Sequence, residues 1–303
     1  MGVDRTALRA LFYAKACGAD YSKTMTLGRQ SIHIPPEDAR PFFRKFKMAA
    51  SAGEISNIFK SKYAESLFEY LGAKTIDSID ARSYQGVSIV HDMNNPIPET
   101  LKSRYSMVID FGTLEHIFNF PVAASNVIDM TAPGGYILSM VPANNFCGHG
   151  LYQFSPELFF RTFSRENGCE IVSLFLAAAI PGQPWHEVTD PLVIHGRVKF
   201  QNYVPTNLVM LAVRGNQERQ PHFIPEQSDY EFGKWDALPQ VASTKAPAQT
   251  SPISRLRRLL PLRVQSALYS IRELTVRGGY RKGYRTVTPE ALAAELLQRR
   301  RDA

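Results

Sequence analysis

Residues Tyr105 to Pro142 read YSMVIDFGTLEHIFNFPVAASNVIDMTAPGGYILSMVP, and this stretch decides the fold. Two apolar runs, Met107 to Phe111 and Tyr136 to Val141, have the length and composition of buried strands. The segment between them, from about Phe120 to Met130, is expected to be helical and to close on Ala132-Pro133-Gly134-Gly135. A strand, a helix and a strand with a Pro-Gly-Gly stop make the βαβ unit of a parallel sheet. The first strand ends in Asp110 and Gly112, followed at once by Leu114, Glu115, His116 and Ile117. A carboxylate and an imidazole just past a strand's carboxyl end lie where open α/β sheets bind their ligands.

Working outward, Val3 to Cys17 is expected as a helix and Thr24 to Leu27 as a short strand ending at Gly28. Pro35 to Leu71 reads as mostly helical, with Gly72 as its stop. Thr75 to Ile79 and Gly86 to Val90 read as the second and third strands. Downstream, Ser155-Pro156-Glu157 has the cap, first-turn proline and acid of a helix start. Glu170 to Phe175 and Asn207 to Val213 read as strands, joined by a loop rich in Gly, Pro and His. The expected organisation is a domain at 1–214 with a helical insertion at about 35–72, then a linker at 215–252 of Gln, Pro, Ser, Thr and Lys. A basic helical tail at 253–303 follows, with Ile253, Leu256, Leu260, Val264, Leu268, Ile271 and Leu274 at helical spacing.

The chain has 303 residues, 44% hydrophobic and 21% charged, enough for a substantial core in a globular protein. No apolar run approaches the roughly 20 residues that span a bilayer. Cys17, Cys147 and Cys169 are few and scattered, which points away from a disulfide framework and from zinc. The expected setting is cytoplasmic, with the inner membrane surface as a place for peripheral attachment. Of the net charge of +7, Ser251 to Ala303 carries +8 (twelve Lys and Arg against four acids), so the first 250 residues carry −1. The tail therefore has three readings: an anionic membrane surface, nucleic-acid phosphates, or packing on the domain or a partner protein. A neutral domain speaks against nucleic acid.

Leu114-Glu115-His116-Ile117, a helix, Pro133-Gly134-Gly135-Tyr136-Ile137-Leu138 and then Val141-Pro142 form a pattern that resembles class I S-adenosylmethionine-dependent methyltransferases, at their fourth and fifth strands. The resemblance spans roughly Asp20 to Arg214. It implies an α/β, doubly wound, Rossmann-like and mostly parallel sheet, here with a helical C-terminal appendage. It also implies S-adenosylmethionine as cofactor and methylation of a small-molecule or sugar (glycan) acceptor, on oxygen. Gly28 then stands at the cofactor turn, although Leu27-Gly28-Arg29-Gln30 has one glycine where the family shows two or three and an acid. Asp80 would hold the ribose hydroxyls, with Asp77 as a neighbouring competitor that strand alternation disfavours. Asp92 and Met93 would contact the adenine, and Asp110 and Gly112 would line the methionine end.

For proton transfer, His116 and His149 are the candidate bases, since an imidazole carries a proton near neutral pH. His116 has an equally good packing role. His149 sits between Gly148 and Gly150, which is hard to explain as core packing. Asn144, Tyr152, Gln153 and Trp185 are the implied acceptor contacts. No HxxxH or HxH spacing occurs, so no metal is expected. Two other functions fit the same residues: a non-catalytic interaction protein with a degenerate cofactor motif, and an RNA methyltransferase guided by the tail.

Overall fold

The computed structural model describes residues 2–180, 182–216, 224–231 and 283–302. In chain order the strands are β1 (Gly2–Val3), β2 (Lys23–Leu27), β3 (Ser31–Ile32), β4 (Thr75–Asp80), β5 (Ile89–Val90), β6 (Tyr105–Phe111), β7 (Thr131–Asn144), β8 (Cys169–Ala178), β9 (Trp185–Val188), β10 (Thr206–Arg214) and β11 (Tyr284–Val287). The helices are α1 (Arg5–Ala16), α2 (Pro36–Lys45), α3 (Ala52–Ile58), α4 (Glu65–Tyr70), α5 (Phe120–Met130), α6 (Pro156–Thr162), α7 (Pro191–Ile194), α8 (Ser228–Glu231) and α9 (Pro289–Asp302).

Nine strands form one sheet in the order β11-β9-β8-β10-β7-β6-β2-β4-β5, while β1 and β3 pair separately. The run β5, β4, β2, β6 and β7 is parallel, and β10 is inserted antiparallel between β7 and β8. This is the doubly wound α/β sheet of the class I methyltransferase fold. Parallel strands are covered on both faces and so read as continuous apolar runs. In β6, Met107, Ile109 and Phe111 join the core under α1 and the α2–α3 segment. Tyr105 and Val108 face the other core, which is closed by α5 and α6.

Helix starts follow local chemistry. Asp4 accepts the Ala7 amide before α1, Ser51 and Glu54 form a reciprocal capping box on α3, and Ser155 accepts the Leu158 amide ahead of Pro156 in α6. Pro133-Gly134-Gly135 does not end α5. The helix stops at Met130, and the Pro-Gly-Gly segment is absorbed into β7, with a register shift against β6 between Tyr105 and Met107.

Three expectations are corrected. The stretch 180–202 is more than a loop, since β9 pairs with β8 there and Asp190 caps α7 through the Leu192 amide. The end of the tail belongs to the domain: β11 pairs with β9, and Arg9 of α1 makes a two-pronged ion pair with Glu290 of α9 at 2.9 and 3.0 Å. Part of the linker also docks, because the Ser228 amide and hydroxyl bond Glu157 and Asp229 pairs with Arg197. The expected amphipathic helix from Ile253 to Leu274, with its membrane or protein contact, lies outside the described residues. No helix among the described residues is long and apolar enough to cross a membrane.

Candidate functional site

The chain leaves β2 for β4 and β5 on one side, then returns to β6 and β7 on the other. Sheets of this kind bind ligands in the crevice at such a switch point, beyond the carboxyl ends of the strands. Leu27 pairs with both Ile79 and Asp110, so the ends of β4, β2 and β6 stand level. Two turns open there, at Gly28 (φ +69°) and Gly112 (φ +88°), left-handed conformations that glycine adopts without strain. The Gly28 amide donates to Ile79 O at 2.7 Å. The Thr113 hydroxyl donates to Leu27 O at 2.9 Å and ties the two turns together.

The sparse glycines after β2 are offset by side chains. Gln30 is buried, and its Nε2 donates to Leu27 O and Gly28 O at 2.7 and 3.1 Å. Its Oε1 has no hydrogen-bond partner among the described residues. Arg29 bonds Glu65 and Gln85 O and stacks on Tyr63 at 3.9 Å. The insertion is also narrower than expected. Ser31 bridges Tyr63, the Ile32 amide donates to Lys62 O, and the Ala64 amide donates to Gln30 O at 2.9 Å, so the excursion is 31–63. α4 lies outside it, as part of the connection between β2 and β4. Gly28 and Asp80 are 52 positions apart, of which the excursion takes 33, leaving 19. Dinucleotide folds place their ribose-binding acid about 20 residues past the glycine turn.

Of the two acids on β4, Asp77 is occupied: its Oδ2 accepts the Tyr105 hydroxyl at 2.9 Å and faces Arg104. Asp80 stands half-buried at the strand end, with Oδ1 accepting the Arg82 amide. Asp92 is exposed after β5. Hydrogen bonds from the Asn94 amide and side chain hold its carboxyl below the usual carboxylate range. Met93, expected to stack on a base, is buried in the core, and its carbonyl accepts Asn126 Nδ2. Asp110, expected at the methionine end, turns its side chain inward. It is buried, Oδ1 accepts the Thr113 and Leu114 amides, and Oδ2 accepts the Ser139 hydroxyl at 2.8 Å. It shapes the Gly112 turn from below. Burial raises its pKa, with the charge of Glu115 as the second cause.

Beside the crevice lies a cavity of about 150 Å³ lined by Phe111, Gly112, Glu115, Met140, Phe146 and His149, among others. Glu115 is 1% exposed, and burial raises its pKa. His149 Nε2 lies 3.2 Å from Glu115 Oε1, His116 Nε2 lies 4.0 Å from the same oxygen, and the two rings meet edge to face at 5.0 Å. Burial, then the neighbouring His149, lowers the His116 pKa. The loop after β7 is stapled to this point, because Glu115 O accepts the Leu151 and Tyr152 amides at 2.7 and 3.3 Å. Gly150 has φ +72°, and a Cβ there would come within 2.8 Å of Glu115 Cγ.

The expected acceptor contacts divide. Gln153 accepts the Phe146 amide, Tyr152 donates to Phe118 O and Asn144 donates to Asn202, so all three support the loop. Trp185 is 1% exposed in the core beneath Arg9 and takes no part in the site. A larger cavity of about 360 Å³ between α6, α7 and residues 225–227 is lined by none of the candidate residues. Its two arginines pair with neighbours, Arg161 with Asp190 and Arg197 with Asp229.

Sequence reasoning missed Gln30, Ser139 and Asn126 as supports, and gave Glu115 no role of its own. Asn126 had a signal, a lone amide within the apolar run of α5; buried, it bonds Met93 O, Asn95 O and the Ile97 amide. Ser139 had none beyond its level register with Asp110.

No protein-family model matches the chain, and no curated protein matches it. Solved structures do overlap it. The 1,6-didemethyltoxoflavin-N1-methyltransferase of Burkholderia thailandensis, with bound 1,6-didemethyltoxoflavin and S-adenosylhomocysteine, is 12% identical over 70% of this chain and 80% of its own, with a TM-score of 0.37. The N-methyltransferase NodS of Bradyrhizobium japonicum, in complex with S-adenosylhomocysteine, is 12% identical over 69% and 85%, with a TM-score of 0.36. At such scores the overlaps carry no argument of their own; the fold rests on the strand order.

Proposed function

We propose that the protein is an S-adenosylmethionine-dependent methyltransferase that methylates a small molecule or sugar, on oxygen. The observation that carries this reading is the switch-point crevice, where the Gly28 and Gly112 turns open level with one another and Asp80 stands 19 effective positions beyond Gly28.

In this reading Asp80 accepts the ribose hydroxyls and Asp92 accepts the adenine amine, while the Gly28 and Gly112 backbones pass close to the methionine end. The cofactor supplies an electrophilic methyl group. The chain's own residues align the acceptor in the adjoining cavity and take its proton, the two contributions that matter most in such a displacement. With His149 Nε2–H donating to Glu115, the basic lone pair of His149 is on Nδ1.

A non-catalytic protein on this fold is the second reading, favoured by Gln30 and Arg29 standing at the turn where the family carries glycines. Methyl-labelled S-adenosylmethionine incubated with the protein and the small-molecule fraction of a cell extract tests the choice. Label in low-molecular-weight products supports the enzyme reading, and no transferred label supports the alternative.

A further inference from the structure

We propose that Glu115, His116 and His149 form a binding site for a first-row transition-metal dication, open on the side of the neighbouring cavity. The three ligand atoms lie within 4.8 Å of one another. Zinc-bound nitrogen and oxygen atoms sit about 2.0–2.2 Å from the ion, which places ligand atoms roughly 3.3 Å apart in a tetrahedral site. His149 Nε2 is already 3.2 Å from Glu115 Oε1, and His116 Nε2 is 4.0 Å from it. A small ring rotation closes the set.

A second observation points the same way. Glu115 is 1% exposed, and its Oε2 is buried with no hydrogen-bond partner among the described residues. A buried carboxylate oxygen with no donor of its own, at the base of two imidazoles, suits a cation. Two histidine nitrogens and one carboxylate select Zn²⁺, Co²⁺, Ni²⁺ or Fe²⁺ over Mg²⁺ or Ca²⁺, which prefer all-oxygen ligands. Three protein ligands beside a cavity leave a coordination position for a small molecule, the layout of catalytic rather than structural zinc sites.

The spacing hid this set. His116 and His149 stand 33 positions apart and are brought together by the Glu115 carbonyl, which holds Leu151 and Tyr152. The lack of room for a side chain at Gly150 presses the loop onto Glu115. An ion on Nε2 puts the remaining His149 proton on Nδ1, so the metal-bound protein cannot use that histidine as its base.

The test uses untagged, chelator-treated full-length protein. Co²⁺ is titrated with visible absorption as readout, and Zn²⁺ is titrated by calorimetry. The expected result is one ion per chain, weakened at least tenfold in His149→Ala and in His116→Ala, with the Co²⁺ absorption lost in the double variant. Both histidine side chains are about half exposed, so these variants fold. Cys147 is exposed in the same loop, and Cys147→Ser is expected to leave binding unchanged. Binding by the parent protein no tighter than by the double histidine variant overturns the proposal, as does loss of the ion in Cys147→Ser. S-adenosylhomocysteine titrated into the same samples reads the cofactor crevice separately, so absence of the metal leaves the methyltransferase reading standing.

Discussion

The amide of Ala64 donates to the carbonyl of Gln30 across 2.9 Å, although the two residues stand 34 positions apart in the chain. Everything between them is an excursion from the crossover that joins β2 to β4. The excursion is packed into the core. Phe43 of α2 is buried against Phe12 of α1 at 4.8 Å, edge to face, with Tyr70 at 5.3 Å and Phe59 at 6.2 Å.

Phe43→Ala is therefore expected to behave as a core truncation. Losing a buried phenyl ring and leaving a cavity costs about 3–5 kcal/mol. Urea denaturation measures it. A loss below about 1 kcal/mol, the scale of a surface substitution, contradicts the packing described here.

The C-terminal helix α9 is held by a charge pair that is nearly dry. Arg9 and Glu290 are 10% and 13% exposed, and the guanidinium lies 4.8 Å over Trp185. Glu290→Ala leaves Arg9 buried without its partner and is expected to cost about 3–5 kcal/mol. Thermal unfolding at matched pH is the check, and an unchanged midpoint argues against docking of α9 on α1.

Asp110 gives stability a definite dependence on pH. Burial raises its pKa to about 7, so between the ordinary carboxylate range and neutrality the folded protein holds a proton that the unfolded chain has released. Its contribution is full at low pH and is lost as pH rises through the folded-state value. Asp110→Asn keeps the acceptor for the Thr113 and Leu114 amides and removes this slope. Between pH 5 and pH 8 the parent protein is expected to lose more stability than the variant, by at most about 3 kcal/mol, because the slope of roughly 1.4 kcal/mol per pH unit ends near the folded-state value. Parallel urea midpoints at the two pH values contradict this.

At Gly150 a side chain is excluded twice, by φ +72° and by Glu115 Cγ at 2.8 Å from the Cβ position. Gly150→Ala is expected to cost about 1–2 kcal/mol in backbone strain and to move His149 off Glu115. Stability and the NMR chemical shifts of the His149 ring report the two effects. A His149 signal identical to that of the parent protein speaks against the loop geometry.

What the sequence disclosed followed the strength of its local patterns. β6, α5 and β7 were legible because an apolar strand buried on both faces, a helix and a second strand follow within forty residues. β9 and β11 were not, since four-residue strands in Pro- and Gly-rich surroundings have no periodicity to read, and their pairing joins residues about a hundred positions apart. Asp80 could be picked over Asp77 by alternation, and the structure gives Asp77 a partner in Tyr105. Met93 and Trp185 were misjudged for one reason. Position at a strand end says where a residue stands but not whether its side chain turns inward to hold the fold. The Glu115, His116 and His149 cluster depends on a loop fold that no local pattern encodes.

The central claim is that the crevice between β2 and β6 binds S-adenosylmethionine with Asp80 on the ribose. Calorimetric titration of S-adenosylmethionine and S-adenosylhomocysteine into the parent protein, Asp80→Ala and Asp77→Ala tests it most directly. The account predicts micromolar binding by the parent protein and by Asp77→Ala, and loss of at least tenfold in affinity for Asp80→Ala. Absence of binding by folded parent protein, or equal affinity in all three, contradicts it.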